Sequence, residues 1–228
     1  MKQANRSGYG VTNQKRGWNN MRKVIVCVLL LVLVFSCSVW AGGGLSGKKI
    51  YVDPGHGGSD SGATGPTGLY EKDVNLRVGT VLKNCLVEYG LATVRMSRTG
   101  DTYLSLWSRC NDANNWGADR FISIHHNSYS NPSVNGTETY CHPNGSTNSF
   151  DLRNKVQAQL LLWGGLNDRG AKTADFYVLR NTSMPAVLTE ASFISNPAEE
   201  ARLRDSGYTW RQGYYIYKGF CDHYGVSY

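Results

Sequence analysis

The stretch KIYVDPGHGG at residues 49–58 decides the fold, together with EKDVNLRVGTVLKNCLVE at residues 71–88. The first stretch is an apolar run with β-branched residues that ends at Asp53-Pro54-Gly55, which is typical of a strand followed by a turn. The second repeats apolar residues every three or four positions, which predicts a helix with one buried face. Together the two stretches predict a β-α unit.

The rest of the chain continues this alternation of strands and helices. Apolar runs predict further strands at residues 92–96, 121–124, 136–141, 176–179 and 186–189. Helical spacing predicts helices at residues 104–115, 155–166 and 208–224, with a Gly/Ser/Asn-rich loop at 143–149 and a helix cap at 167–170. The alternation predicts one α/β domain over residues 49–228, with a twisted, mostly parallel or mixed sheet flanked by helices. In such sheets ligand sites form beyond the carboxyl ends of the strands.

The positive charge of the chain is concentrated at its N-terminus. The formal net charge is +7, with 24 basic and 17 acidic residues among 228. Six of the basic residues and no acidic residue lie in residues 1–41, which leaves 18 basic residues and a net charge near +1 for the rest. A domain so close to neutral has no excess charge with which to bind phosphates, and we therefore expect no nucleic-acid partner.

Residues 1–41 are interpreted as a basic tract plus an export signal, and residues 42–48 as a Gly-rich linker. The apolar run of the signal, at 24–35, is too short to span a membrane comfortably. This pattern predicts a secreted protein of the periplasm or cell wall. Two alternatives stay open, an uncleaved anchor and acylation at Cys37, and in both the chain touches a membrane only through this leader.

Four cysteines lie outside the leader. Export permits disulfides, and four cysteines allow three fully paired connectivities, so their pairing stays open. None follows a Cys-x-x-Cys spacing, which argues against a cysteine zinc site. Cys85 shares helical spacing with apolar neighbours and is predicted to be a core residue. The four are Cys85, Cys110, Cys141 and Cys221.

Ionisable residues stand where three of the predicted strands end. They are His56, His125 and Glu190. Glu71 opens the first helix and can face the same edge of the sheet. Two neutral imidazoles and a carboxylate are a common set of catalytic zinc ligands that leaves a fourth position for water. A further carboxylate can take the proton from that water and deliver it to a leaving amine, and Glu190 fits this role.

Each of these residues also has an ordinary explanation when it is taken alone. A histidine in a loop is usually solvated, a glutamate is favoured at a helix N-terminus, and a carboxylate at a strand end can simply pair with a base. Their joint placement at one edge of the sheet favours a metal site, because packing of a hydrophobic core does not require several ionisable side chains at one edge.

Several motifs occur together in a fixed order along the chain. They are HGG at residues 56–58 after an apolar strand, EKDVNL at 71–76, SIH at 123–125, DFYVLR at 175–180, and PAVLTE at 185–190 with FISN at 193–196. In this combination the sequence resembles the zinc-dependent N-acetylmuramoyl-L-alanine amidases (amidase type 3), the family of bacterial sporulation and cell-division amidases. The resemblance extends from about residue 49 to residue 224 and is far more specific than any single motif.

The resemblance implies both a site and a reaction. It implies that His56, Glu71 and His125 hold one Zn²⁺ per chain and that Glu190 is the catalytic glutamate. It also implies peptidoglycan as the partner, and hydrolysis of the amide bond between N-acetylmuramic acid and the L-alanine of the stem peptide. The implied fold is a twisted, mixed α/β sheet with helices on its faces.

The sequence departs from the family pattern in three places. His126 follows His125 where the family usually has small residues, and since adjacent strand residues point to opposite faces, we assign the ligand to His125 by motif alignment. The segment 143–162 is short and carries no inhibitory helical insertion, and no additional wall-binding repeat is present. His142 and His223 match no motif and are predicted at the surface.

The substrate contacts are left open by the sequence. Arg169 and Lys172 precede the predicted strand at 176–179, and two interpretations remain, contact with carboxylates of the stem peptide and solvated loop cations. The oligomeric state is equally open, with a monomer as the simplest expectation.

Two competing functions share the same residues. A zinc peptidase would use the same metal, water and glutamate on a peptide bond of the stem peptide. A wall-binding protein would retain the fold without turnover, but the presence of all four candidate site residues argues against it.

Overall fold

The computed structural model describes Met1 and residues 44–228. The predicted basic tract, the export signal, the acylation site at Cys37 and the first two residues of the Gly-rich linker therefore lie outside the described residues. Within the described part of the chain, no helix combines the length and apolar character needed to cross a membrane.

A six-stranded mixed sheet forms the centre of the domain. The strands are β1 (Lys49–Pro54), β2 (Thr93–Met96), β3 (Arg120–Asn127), β4 (Thr137–Cys141), β5 (Asp168–Thr173) and β6 (Ala186–Phe193). Their order in the sheet is β2-β1-β3-β6-β4-β5. The first four strands in this order run parallel, β4 is antiparallel to β6, and β5 is parallel to β4. The predicted α/β fold with a mixed sheet is confirmed.

Helices cover both faces of the sheet. They are α1 (Glu71–Glu88), α2 (Leu106–Trp116), α3 (Thr147–Gly164), α4 (Tyr177–Arg180), α5 (Pro197–Arg204) and α6 (Ser206–Tyr224). Side chains of α1, α3 and α6 share the larger apolar cluster with Ile122 and Ile124 of β3, whereas α2 and α4 share the smaller one with Phe121. Because successive strand residues point to opposite faces, the two clusters lie on opposite sides of the sheet.

The first helix follows the apolar spacing of its sequence. Val74, Val78, Leu82 and Leu86 are fully buried, and Cys85 lies with them in the larger cluster, as predicted. All four cysteines of the described residues are buried and free. Leu45, inside the predicted linker, is also fully buried, and its N–H donates to the carbonyl of Gly90 at 3.2 Å.

Two sequence predictions near residue 170 are wrong. The run at 176–179 is not a strand, since residues 177–180 form the single helical turn α4, and a short apolar run does not distinguish the two by periodicity. The helix α3 is capped by Gly165 in the left-handed region (φ 56°), and residues 168–170 of the predicted cap belong to β5. The polar sequence DRGAKT has no strand pattern, and its pairing with β4 makes it an edge strand.

Other boundaries also differ from prediction. Residues 143–146 of the predicted loop lie outside regular secondary structure, but α3 begins at Thr147, with the Ser146 side chain accepting a hydrogen bond from the Ser149 N–H as its N-cap. Strands β3 and β6 extend beyond residues 124 and 189, which places the two histidines of β3 and Glu190 inside strands. Helix α5 has no counterpart among the predicted helices.

His223, predicted at the surface, is buried. Its side chain is 3% exposed, its Nδ1 lies 2.5 Å from Asp151 Oδ2, and its Nε2 accepts from Arg120 Nε at 2.8 Å. His142 is partly exposed beside Asp175, with 3.2 Å between Nε2 and Oδ1. Helical spacing places His223 on the inner side of α6. The surface prediction was made because His223 matches no motif, and it did not take helical spacing into account.

Two leucines of α3 test the packing directly. Leu160 is fully buried, whereas Leu162 on the same helix is 68% exposed. We expect Leu160→Ala to lower the free energy of unfolding by about 2–5 kcal/mol through lost burial and a residual cavity. Leu162→Ala is the matched control and should change it by less than about 0.5 kcal/mol. Urea unfolding followed by circular dichroism measures both, and equal effects would contradict the described orientation of α3.

Candidate metal centre and active-site cavity

Three residues from separate elements meet at the carboxyl ends of β1 and β3. His56 follows β1, Glu71 is the first residue of α1, and His125 lies on β3. His56 Nε2 is 3.2 Å from Glu71 Oε2, and His125 Nδ1 is 3.0 Å from Glu71 Oε1. One potential ligand atom from each of the three lies within 4.8 Å of the others. The structure therefore brings together the three residues predicted to bind metal.

His56 is held by its backbone and by a second carboxylate. Its φ of 61° is in the left-handed region, which non-glycine residues rarely adopt. Its Nδ1 lies 2.8 Å from Asp60 Oδ2, so this nitrogen is engaged and Nε2 faces the cluster. Burial opposes the charged imidazole, but hydrogen bonds and charge from Glu71 and Asp60 outweigh it and raise the pKa of His56.

Glu71 is a buried carboxylate surrounded by donors. Its Oε2 accepts from the Ala63 N–H at 2.9 Å, and its Oε1 accepts from the His126 N–H and from Asn75 Nδ2, both at 3.1 Å. Burial alone favours the neutral acid, but the bonds to His125 and His56 hold the pKa of Glu71 well below its usual range. Glu71 is therefore ionised, as a metal ligand must be.

Two glycines allow the three side chains to come this close. A Cβ on Gly55 would lie 2.1 Å from the ring of His125, and one on Gly62 would lie 2.6 Å from both Glu71 Oε2 and His56 Cδ2. The side chains at these positions would occupy the space of the ligands themselves. The loop between β1 and α1 is therefore built around the cluster.

Two buried arginines fix the backbone that carries His56, and they were not identified from sequence. Arg109 donates through Nη1 to Pro54 O at 2.8 Å and through Nη2 to His56 O at 2.8 Å. Arg98 donates to Pro54 O at 3.0 Å and to Gly55 O at 2.9 Å. Asp53, 2.6 Å from Arg109 Nη1, balances one of the two charges. A basic residue on the apolar face of α2, next to Cys110, is the signal that could have revealed Arg109.

Glu190 lies beside the cluster on the neighbouring strand. It pairs directly with His125 in the β3–β6 register, so the two side chains share one face of the sheet. The residue is half-buried, and its Oε2 has no hydrogen-bond partner among the described residues. Burial, followed by the charges of Glu71 and Glu138, raises the pKa of Glu190 well above its ordinary value.

A cavity of about 360 Å³ connects these groups. Its wall includes His56, His125 and Glu190, together with apolar side chains from the loop before α2 and from the start of α4. The predicted catalytic glutamate and two of the predicted metal ligands therefore open onto one space that a substrate can enter.

His126 faces away from this cavity, as the alternation along β3 predicts. It is almost fully buried, with Nδ1 2.8 Å from Asn75 Oδ1 and Nε2 3.1 Å from Gln212 Oε1. Burial lowers the pKa of His126 to about 4. It is a neutral residue that helps to position Asn75, and Asn75 in turn bonds Glu71.

Arg169 and Lys172 are not loop cations, because both lie on β5. Each donates to the buried Glu138 Oε1, from Arg169 Nε at 2.5 Å and from Lys172 Nζ at 2.8 Å. Glu138 sits opposite Glu190 in the β4–β6 register and was not identified from sequence. Glu138 was missed because we searched for ionisable residues at the ends of strands, and it lies at the beginning of one.

The donor set fits a divalent metal such as zinc. Two imidazole nitrogens and a carboxylate are the ligand types of catalytic zinc sites, and each of the three is oriented by a further hydrogen bond or a glycine contact. A half-buried carboxylate with a free oxygen stands beside them. This arrangement suits hydrolysis of an amide or ester by activated water.

Comparison with known proteins finds relatives of this chain. The family model described as N-acetylmuramoyl-L-alanine amidase matches residues 50–222. The sporulation-specific N-acetylmuramoyl-L-alanine amidase of Bacillus subtilis (strain 168) is 43% identical over 161 residues, which are 70% of this chain and 62% of that protein. The probable cell wall amidase LytH of Staphylococcus aureus is 39% identical over 163 residues, 71% of this chain and 53% of that protein. The chain thus spans less than two thirds of the length of these relatives.

A solved structure shows the same architecture. The catalytic domain of CwlV, an N-acetylmuramoyl-L-alanine amidase from Bacillus (Paenibacillus) polymyxa var. colistinus, superposes with a TM-score of 0.75 at 36% identity. The match covers 79% of this chain and 99% of that chain.

Gly55 provides a test of the candidate metal site. In Gly55→Ala the new methyl group would displace the His125 ring, so we expect zinc affinity to fall by at least about tenfold, the size of effect seen when ligand orientation is lost. Competition with a chromogenic chelator measures the affinity. Gly100→Ala is the control, because a Cβ there meets nothing within 4 Å and the backbone is not left-handed. Unchanged zinc binding in Gly55→Ala would argue against His125 as a ligand.

Proposed function

The chain belongs to the N-acetylmuramoyl-L-alanine amidase family, and we propose that it hydrolyses the amide bond between N-acetylmuramic acid and the L-alanine of the stem peptide in peptidoglycan. The observation that carries this proposal is the cluster of His56, Glu71 and His125, of which the two histidines open onto the same cavity as Glu190. The family match supplies the substrate, and the arrangement of side chains supplies the means to cut an amide.

We propose that His56, Glu71 and His125 hold one zinc ion. When bound, zinc acts as a Lewis acid that polarises a carbonyl and activates water. The chain's own contribution is to hold the ligands in place and to keep Glu71 ionised. Asp60 engages the outer nitrogen of His56, and Asn75 and two backbone N–H groups hold the carboxylate of Glu71.

Glu190 is proposed as the general base and acid. The carboxylate of Glu190 lines the cavity, where it can take the proton from the attacking water and pass it to the nitrogen that leaves with L-alanine. Burial and the charges of Glu71 and Glu138 raise the pKa of Glu190, which makes its carboxylate a stronger base and lets it hold the proton until the amide nitrogen takes it. The leaving group then departs as a neutral amine rather than as an amide anion.

The proposed place of action is the cell wall. The Staphylococcus aureus relative is named a probable cell wall amidase, and the substrate is extracellular. The export signal proposed for residues 1–41 and a role as a single catalytic domain over residues 49–228 are consistent with this.

The bond that is cut tests the proposed function. Purified peptidoglycan incubated with the protein should release intact stem peptides whose first residue is L-alanine with a free amino group, detected by mass spectrometry. Removal of metal with a chelator should abolish this release, and one equivalent of zinc should restore it. Fragments cut between amino acids would instead indicate the zinc peptidase, and an unchanged wall would indicate a binding protein.

Glu190→Gln tests the proposed proton transfer. The amide keeps the shape of the side chain but cannot accept a proton, so kcat should fall by at least about 10²-fold while zinc content stays at one per chain. Glu88→Gln is the control, since Glu88 is exposed at the end of α1 far along the helix from Glu71. Near-normal turnover by Glu190→Gln would remove Glu190 from the mechanism.

A further inference from the structure

A row of paired residues crosses the sheet on the face of the cavity. His125 on β3 is opposite Glu190 on β6, and Glu190 is opposite Glu138 on β4. Directly opposed residues point to the same face. The row that begins at the proposed metal site therefore continues past the catalytic glutamate to a second carboxylate.

Glu138 is surrounded by donors. Its side chain is 3% exposed, and its Oε1 accepts from both Arg169 Nε and Lys172 Nζ. Its Oε2 accepts from the hydroxyl of Tyr140 and from Asn127 Nδ2. One buried carboxylate needs one cation for neutrality, and here two converge on a single oxygen. The group as a whole carries a net charge of one positive unit.

Much of that charge remains accessible. The side chains of Arg169 and Lys172 are each 38% exposed, although the carboxylate beneath them is buried. Arg169 donates only through Nε in the described part of the chain, and its two terminal nitrogens make no hydrogen bond there. A guanidinium bound through Nε alone retains its outer donors for a second acceptor.

Two aromatic side chains lie between the cations and the active-site cavity. Phe176 lines the cavity, its ring lies 5.2 Å from the ring of Tyr140, and Lys172 Nζ lies 6.0 Å from the centre of the Tyr140 ring. Adjacent strands are about 4.8 Å apart, so β5 is roughly 10 Å from β6. An extended peptide rises about 3.3 Å per residue and covers this distance within about three residues.

We propose that Arg169 and Lys172 form a subsite that binds a carboxylate of the stem peptide within about three residues of the amide that is cut. The proposal rests on the proposed function, since it assigns the peptide side of the substrate to the β4–β5 half of the sheet. Glu138 is a positioning residue, which holds both cations on this face without itself touching the substrate.

The test uses two synthetic N-acetylmuramoyl tripeptides that differ only in whether the second and third residues carry carboxylates or carboxamides. The wild-type protein should cleave the carboxylate compound with a kcat/KM at least about tenfold higher, mainly through a lower KM, as expected for a charge-assisted hydrogen bond. Arg169→Gln and Lys172→Gln should each reduce this preference. Lys155→Gln, an exposed cation on α3, is the control for net charge and should leave it unchanged.

Removal of both cations would leave Glu138 buried and unpaired, so the decisive variant also carries Glu138→Gln. In this triple variant the preference should fall to about one, whatever happens to the overall rate, because a general structural defect lowers the cleavage of both compounds alike. A folded triple variant that keeps the wild-type preference would overturn the subsite, as would a wild-type protein that shows no preference.

Failure of the proposed function has a different signature. If the wild-type protein cleaves neither compound, the amidase assignment fails, and calorimetric titration of the same two compounds then tests the subsite on its own. Tighter binding of the carboxylate compound that disappears in the triple variant would support the subsite, and equal binding of the two would overturn it.

Discussion

The buried carboxylate of Glu71 is the constraint on which the site depends. An ionised group with 4% exposure is costly unless it is fully paired, and here both oxygens are engaged by backbone N–H groups, by Asn75 and by the imidazoles of His56 and His125. The position of Glu71 at the first turn of α1 adds the favourable field of a helix N-terminus. Since three separate elements must meet to satisfy this one group, its burial links α1, the loop after β1 and strand β3.

The second requirement is a loop that turns sharply without losing its hydrogen bonds. The chain passes from β1 into a left-handed residue at His56. Arg98 and Arg109, both almost completely buried, donate hydrogen bonds to the backbone carbonyls of residues 54–56. Within the loop itself, the sequence pattern consists mostly of glycines. The two arginines that hold its backbone lie about 40 to 55 positions later in the chain.

Features that leave a periodic or apolar pattern in the sequence were predicted, and features that depend on tertiary packing were not. Helix α1 was predicted with its observed bounds because burial of one helical face leaves a periodic signal. His56, His125 and Glu190 were singled out because each comes soon after a strongly apolar run. Strand β5 gave no such signal, since an edge strand of sequence DRGAKT is specified by its partner rather than by its own pattern. Buried polar contacts such as Arg109 to His56 cannot be read from local spacing, because they depend on tertiary packing.

Strand direction explains why residues near the beginning of β4 and β5 lie at the same edge of the sheet as residues near the end of the parallel strands. In the parallel part of the sheet, ligand sites lie where strands finish, and His56 lies there. Strands β4 and β5 run the other way, so their first residues stand at the same edge. Glu138, the second residue of β4, continues the row from Glu190, and Arg169, the second residue of β5, reaches Glu138 through its side chain. The reversal of two strands thus gives one sheet edge both the proposed catalytic groups and an accessible positive charge within the reach of a peptide.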